Sequence, residues 1–496
     1  MCGESLTWLL DDNGVLTIEG NGDMYDYDET TTVPWSGYAD KIEKIVVGNN
    51  ITKIGKRAFY ECNKVKSFDI PKKISSIGTD AFYNCTELIK VNYSGEIEDW
   101  CNILFEGIYS NPLYYAKHLY INDEEIVDLV IPGSVTEIGK YTFVNCEGFL
   151  SVTIPINVTS IGSSAFSGCK QLIKIYYNAK LVEDLDSISN VFKNVGISGA
   201  GTDVIFGDSV ERIPSYLFSS FLLVDTDTNN IKSITIGKNV IYIGVSAFSG
   251  CKQLTKIYYN AKSVEDLTTS SDVFNDAGTS GEGIDVIFGD SVKKIPNYLF
   301  KSKASRTNKA PNIKFVTVAN GVTSIGEKTF SGCNNFTIKC AAGSYAETYA
   351  KDNNIPYEII EFFESFYVSR LPNKREYNAN ESFDSTGMVI TATQKDGTKK
   401  ELTDYTISGF DATKAGIQTV TVSYGNCSAT FNVAVGRKFD SGDTDGDGII
   451  SDSDGECLID AILGEDIPLT SAFDTNSDGE IDVLDFIALK LMIESK

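Results

Sequence analysis

The chain has 496 residues and a formal net charge of −25, with 68 acidic against 43 basic residues, one histidine and 11 cysteines. That length implies about three domains with room for sizeable cores. No basic run could track a phosphate backbone, so nucleic acid is not an expected partner, and no apolar run approaches the ~18 residues of a membrane span. Met1-Cys-Gly-Glu lacks the basic and apolar regions of a secretory signal. An exported protein would then have lost a leader and gained Met1, with a lipidated Cys2 as the alternative.

Residues 1–41 open with two apolar-rich stretches around Asn13-Gly14. This predicts a hairpin that caps the first turn of a solenoid, whose end repeat would otherwise expose its apolar face.

Residues 42–361 repeat. Ile51-Thr-Lys-Ile-Gly-Lys-Arg-Ala-Phe-Tyr-Glu-Cys62 returns as Ile74-Ser-Ser-Ile-Gly-Thr-Asp-Ala-Phe-Tyr-Asn-Cys85, an offset of 23 that recurs from Cys146 to Cys169. Cys169, Cys251 and Cys333 lie 82 apart, and Val204-Ile-Phe-Gly-Asp-Ser-Val210 recurs as Val286 to Val292. A duplicated 82-residue block is thus built on an older short unit. Within one unit Val152-Thr-Ile154 alternates like a strand, and Val158, Ile161, Ala165, Phe166 and Cys169 follow as apolar positions. No unit can bury that face alone, so neighbours must stack, with parallel strands forming one sheet.

The pattern Ile-Pro-x-x-Val-x-x-Ile-Gly-x-x-Ala-Phe-x-x-Cys resembles the BspA-like leucine-rich repeats of bacterial surface proteins. The resemblance covers roughly residues 1–361 and implies a solenoid that presents a recognition surface. Residues 93–120 resemble a Trp-containing variant repeat, whereas 187–201 and 268–283 read as polar, Gly-rich insert loops. The in-register cysteines are expected as buried free thiols, because parallel side chains on stacked rungs do not converge for a disulfide. Tyr176-Tyr177 and Tyr258-Tyr259 place one ring inward and one outward on a strand, and the outward rings are candidate ligand contacts.

The solenoid is expected to end in a short helix at 343–352 with Ser344 as N-cap, then a strand at 357–360. Residues 362–436 carry period-2 strands and tight turns, which predict a small β-sandwich and resemble a bacterial Ig-like domain.

Residues 437–496 hold the clearest chemistry, and 440–496 alone carry 16 acidic residues against Lys490 and Lys496. Two twelve-residue stretches match the oxygen-ligand pattern of a Ca²⁺ loop, with ligands at positions 1, 3, 5, 7, 9 and 12 around a Gly at 6. The first offers Asp443, Asp445, Asp447, the Ile449 carbonyl, Ser451 and Asp454 around Gly448. The second offers Asp474, Asn476, Asp478, the Glu480 carbonyl, Asp482 and Asp485 around Gly479. Position 12 is Asp where an EF-hand has Glu, and each loop precedes one apolar run rather than lying between two helices. A loop followed by a helix, twice, resembles a type I dockerin, the calcium-dependent plug for cohesin modules of cellulosome scaffolds. The resemblance implies two bound Ca²⁺ ions, a cohesin partner, an extracellular setting, and cohesin contacts at Asp452, Ser453, Val483, Leu484 and Lys490.

The expected fold class is therefore multidomain: a leucine-rich-repeat solenoid, α/β to mainly β, then a small β-sandwich, then an all-α dockerin. The expected function is non-catalytic attachment, with the solenoid recognising a polysaccharide or protein. The alternatives are an enzyme of plant-polymer breakdown or a host-directed adhesin. His118, the only histidine, sits on an expected strand and is read as structural.

Overall fold

Each repeat turns the chain through a strand, a second short ladder and a tight turn, and the three stack separately. In a computed structural model, the described residues are 1–219, 229–301, 309–394, 397–424, 427–436, 439–445, 449–462, 470, 472–476, 481 and 483–494. They fall into two compact units, Met1–Ile359 and Ile360–Lys496.

In the first unit the N-terminal hairpin forms as expected, Leu6–Leu10 pairing antiparallel with Val15–Gly20. Val15–Gly20 then pairs in parallel with Lys44–Val47, which starts the stack. A seven-stranded sheet runs to the small hairpin of Leu119–Ile121 and Glu124–Glu125, and a ten-stranded sheet runs from Asp128–Val130 to Tyr357–Ile359. Alternation along each strand puts one set of residues inside, as in Ser151–Ile154, where Val152 and Ile154 are buried. The apolar core nevertheless continues past the break between the sheets, from Cys2 to Ala350.

Trp100 helps carry the core across the break. In the variant repeat a short helix, Ile97–Cys101, buries its indole, and Nε1 donates to the Thr142 carbonyl at 2.9 Å. Asn111 Nδ2 donates to the Tyr141 and Thr142 carbonyls.

The turns make a second spine. Phe143, Phe166, Phe192, Phe218, Phe248, Phe274, Phe300 and Phe330 stack ring upon ring, with neighbouring centroids 4.7 to 6.1 Å apart. Phe192 and Phe274 lie in the stretches read as insert loops, so that reading is corrected: each supplies a rung, with Val191 and Val273 buried beside the ring. Their polar, Gly-rich flanks hid a two-residue apolar anchor, which is all a rung needs.

The residue before each Ala-Phe pair adopts a left-handed backbone, φ 55° at Arg57, 57° at Ser164 and 53° at Ser246. A second left-handed position precedes the cysteine, where later repeats use Gly168 and Gly250 at φ 79° and 78°. This backbone turns amide groups toward the next rung. Phe143 N donates to Ala165 O, Phe166 N to Val191 O and Phe248 N to Val273 O. The cysteines are free, as expected, and most are buried. Their thiols donate backward to phenylalanine carbonyls, Cys85 to Phe59 at 3.2 Å and Cys169 to Phe143 at 3.3 Å. That bond is why the small apolar position holds Cys rather than Ala. Burial pushes the Cys251 thiol up to about 12, which keeps it protonated and unreactive.

The closing helix, Tyr345–Asp352, starts at Ser344, whose side chain accepts from Glu347 N as expected for an N-cap. Tyr357–Ile359 covers Thr337–Cys340 as the last parallel strand.

In the second unit two sheets form the sandwich. One joins Ser365–Arg370, Val389–Thr393 and Lys399–Leu402; the other joins Glu376–Tyr377, Cys427–Val435, Gly416–Tyr424 and Thr406–Ser408. Ile390, Ala392, Val420, Val422 and Val433 are fully buried between them. Two helices follow, Asp452–Ile462 and Val483–Glu494, over a small core of Leu458, Phe473 and Leu489.

Candidate functional site

The first acidic stretch brings its carboxylates together. Oxygens of Asp443, Asp445 and Asp454 lie within 4.8 Å of one another, and Asp443 and Asp454 are buried, 2 % and 0 % exposed. Asp454 is held from both sides: Oδ1 accepts from Thr444 N at 2.7 Å and Asp445 N at 3.1 Å, and Oδ2 from Ser451 N at 2.8 Å. A cation would offset the repulsion of buried like charges this close, and an all-oxygen donor set suits a hard divalent one. Ser451 Oγ lies 2.8 Å from Ser453 Oγ, and the Ile449 side chain is 63 % exposed.

In the second stretch Asp485 is fully buried and accepts from Asn476 N at 3.0 Å, with Asp474 partly buried at the loop's start. The parallel with Asp454 and Asp445 N is residue for residue. Asp447, Asp478, Glu480 and Asp482, with Gly448 and Gly479, lie outside the described residues. The two stretches are tied together where Gly442 N donates to Ala472 O and Ser441 Oγ to Thr475 O. Gly442, at φ 91°, brings its backbone close to Leu489 and Met492, and a side chain there would strain the turn.

The residues expected to meet a partner divide by polarity. Val483 and Leu484 are 58 % and 53 % exposed at the start of the second helix. Ile487 and Leu491, one and two turns on, are 51 % and 62 % exposed and extend the stripe. Lys490 and Asp452, both expected as partner contacts, meet each other at 2.5 Å across the helix pair. Ile487 and Leu491 were missed because the helix is apolar all round, so periodicity could not say which face turns outward.

Arg375 leads the contacts that join the sandwich to this region, where Phe439 N also donates to Glu376 Oε1 at 3.1 Å. Arg375, 3 % exposed, donates from Nη2 to the Thr444 carbonyl at 3.2 Å and from Nη1 to the Asp445 carbonyl at 3.3 Å. Its guanidinium lies over the Phe439 ring at 5.3 Å. Burial lowers its pKa, opposed by Cys457 and then by Asp443, Glu376 and Asp445. Ala434, Phe439 and Ala472 form a small apolar cluster beside it.

On the solenoid the exposed face of the ten-stranded sheet is the other candidate surface. Tyr177 and Tyr259 are buried and Tyr176 is 36 % exposed, with Lys174 over its ring at 5.3 Å and Lys256 over Tyr258 at 5.1 Å. The outward row in register runs Lys174, Asp203, Ser233, Lys256, Asp285, Phe315. Ser233 Oγ donates to Asp203 at 2.5 Å, but the equivalent partner of Asp285 is Phe315, and Asp285 Oδ1 is buried with no hydrogen-bond partner among the described residues. His118 Nδ1 lies 2.6 Å from Glu125 Oε1 at an exposed position.

A model of the BspA type leucine-rich repeat region matches residues 37–112, 115–226, 187–307 and 306–347, and one of a bacterial Ig-like domain (group 3) matches 371–435. Among curated proteins, a pectate lyase L of Thermoclostridium stercorarium is 35 % identical over 77 residues. An exo-beta-1,6-galactobiohydrolase of Bifidobacterium longum subsp. longum is 37 % identical over 84. Each match covers 15 % of this chain and 6 % of the relative, so the chain spans only a small part of those proteins' length. Among solved structures, a leucine-rich repeat protein from Eubacterium ventriosum is 23 % identical, covering 66 % of this chain and 83 % of that one, with a TM-score of 0.35. A leucine rich cell surface protein from Faecalibacterium prausnitzii is 19 % identical, covering 70 % and 96 %, with a TM-score of 0.29. With repeat models spanning well over half its length, the chain belongs to the BspA type leucine-rich repeat family.

Proposed function

We propose that this protein is a non-catalytic, extracellular attachment protein whose C-terminal module binds two Ca²⁺ ions and plugs into a cohesin-type partner while the solenoid holds a ligand. The observation that carries the anchoring half is the convergence of Asp443, Asp445 and Asp454. With Asp447, the Ile449 carbonyl and Ser451 they would hold the first ion; Asp474, Asn476, Asp478, the Glu480 carbonyl, Asp482 and Asp485 would hold the second. Calcium supplies the positive charge that lets these carboxylates pack and the two helices close over Leu458, Phe473 and Leu489. The exposed stripe of Val483, Leu484, Ile487 and Leu491 supports an apolar partner surface. Asp452, Ser453 and Lys490 form its polar rim, with Lys490 and Asp452 already bonded to each other.

The second copy is accordingly the anchor. Capture of the full chain on an immobilised cohesin should require Ca²⁺, be reversed by a chelator and be lost in Leu484→Asp but retained in Ser453→Asp. Equal loss in both variants would overturn the single-orientation reading, and capture in excess chelator would overturn the calcium reading.

For the solenoid, the repeat family supports recognition rather than turnover. The curated relatives that share a segment with the chain are named as a pectate lyase and an exo-beta-1,6-galactobiohydrolase, so polysaccharides come first among ligand classes. A pull-down of the full chain on insoluble cellulose, xylan, pectin and starch, beside extracellular-matrix proteins, tests this. Release of soluble sugar would favour the enzyme alternative, and retention on host protein alone would favour an adhesin.

A further inference from the structure

The two ends of the turn stack are finished differently. At the N-terminal end Trp35 lies on Phe59, ring centroids 5.8 Å apart, and its Nε1 donates to the Ala58 carbonyl at 3.1 Å. That carbonyl is the one a preceding turn would have used, so this end is closed. At the other end, the final turn keeps the repeat's backbone, with Lys328 at φ 53° and Gly332 at φ 90°. In earlier turns the three amides of this pattern reach the next rung: Ser164 to Ser189, Phe166 to Val191 and Gly168 to Lys193. Among the described residues, the amides of Lys328, Phe330 and Gly332 have no such acceptor. Beside them is a cleft of about 710 Å³, walled by the final turn on one side and by Tyr345, Thr348 and Tyr349 of the closing helix on the other. That volume lies in the range of ligand sites. On the main sheet the last four-residue strand, Thr337–Cys340, is covered by Tyr357–Ile359.

We infer that this cleft binds a peptide segment as one further turn of the stack, its carbonyls accepting from Lys328, Phe330 and Gly332. The rungs themselves state the preferred chemistry. The residue whose carbonyl accepts from a turn phenylalanine is Ala81, Ala165, Val191, Ala247, Val273 or Thr329, each followed by Phe, and at the variant repeat Tyr109. A small or β-branched residue followed by an aromatic is therefore the ligand pattern, with the aromatic resting against Tyr349, which itself covers the Phe330 ring edge-on at 6.5 Å. This is main-chain recognition on the logic of strand addition at an open edge, applied to a ladder of turns. A second copy of the chain is a poor occupant because Trp35 closes the end it would present. The inference deepens the recognition reading by naming one site and one ligand class.

The probe is a fluorescent peptide copying residues 159–170 with Cys169→Ser, added to the full chain in Ca²⁺ and followed by anisotropy. Saturable binding is expected, weakened at least about tenfold by Phe166→Asp in the peptide. Thr348→Trp in the protein, at an exposed helix position facing the cleft, should weaken it similarly without lowering the melting temperature. Ser331→Arg is the second blocking variant should the first melt early. No binding, equal binding of the two peptides, or indifference to both blocking variants would overturn the proposal. So would concentration-dependent self-association that the peptide fails to compete. Loss of peptide binding with polysaccharide retention intact would remove this site and leave the wider recognition reading standing.

Discussion

Phe166 sits between Phe143 and Phe192, with ring centroids 5.3 and 5.1 Å away, and its rung is held by apolar contact and amide bonds to the next. Asp454 sits between Asp443 and Asp445, and its unit is held by amides that tie down carboxylates around a place for a cation. Both are short duplicated units; one borrows its missing partner from the next copy, and on the proposed reading the other takes a cation from solution. The solenoid's stability should therefore follow core packing and ignore metal, whereas the C-terminal module should follow calcium and carry little stability of its own. Among the described residues its central core buries only Leu458, Phe473 and Leu489 fully, little to set against the local acidic charge.

The largest expected effect tests that contrast directly. Chelation should abolish the signal of helices Asp452–Ile462 and Val483–Glu494 and expose the region to protease, leaving the solenoid's melting transition in place. Asp454→Ala should weaken the first ion by at least about a hundredfold, read by calorimetric titration. Next comes the stack: Phe166→Ala should cost about 3–5 kcal/mol, identical with and without Ca²⁺, measured by denaturant unfolding of the first unit. A calcium-dependent cost there would blur the comparison.

Arg375 sharpens it, because a sandwich residue holds the backbone of the first loop. Arg375→Met leaves the Thr444 and Asp445 carbonyls without these donors and should cost about 1–3 kcal/mol of the calcium-bound unit, shifting the calcium midpoint upward. Arg375→Lys should recover part of it. An unchanged midpoint in Arg375→Met would mean that the sandwich is a passive spacer.

The smallest effect compares the two 82-residue blocks. Asp203 has the Ser233 hydroxyl, but Asp285 faces Phe315, and burial raises its pKa despite Lys256, Lys314 and Lys339 nearby. A carboxyl whose folded pKa is raised binds its proton more tightly folded than unfolded. It therefore costs nothing below its unfolded value and destabilises increasingly as pH climbs toward the folded one. Asp285→Asn should raise the melting temperature slightly at neutral pH and lose that advantage in acid. Asp203→Asn should lack this gain, and equal gains at both sites would show that the Ser233 contact does not matter.

Much of this was legible in the chain. The spacing of Ala165, Phe166 and Cys169 announces a rung because all three act on neighbours a fixed distance along the sequence. Position 12 of each acidic stretch announces the buried carboxylate for the same reason. Phe192 could have been found, since Val191-Phe192 returns as Val273-Phe274 at the block offset, but the glycines around it resembled a loop. Arg375 could not: its partner carbonyls lie 69 and 70 residues away, and an arginine just ahead of a short sandwich strand carries no mark of them.

The amino-acid sequence by itself determined the repeated units, the stacking of their apolar faces and the oxygen-rich stretches, because each depends on residues a few positions apart. Only the tertiary structure decided which face of the apolar helix Val483–Glu494 turns outward and that Lys490 spends its charge on Asp452. It also decided that Asp285 lacks the hydroxyl its twin enjoys, and that the turn stack is closed by Trp35 at one end while at the other Tyr349 covers the Phe330 ring and the turn amides lack acceptors among the described residues. Those outcomes depend on which distant segments meet, and a local pattern cannot encode a partner that the fold itself must bring.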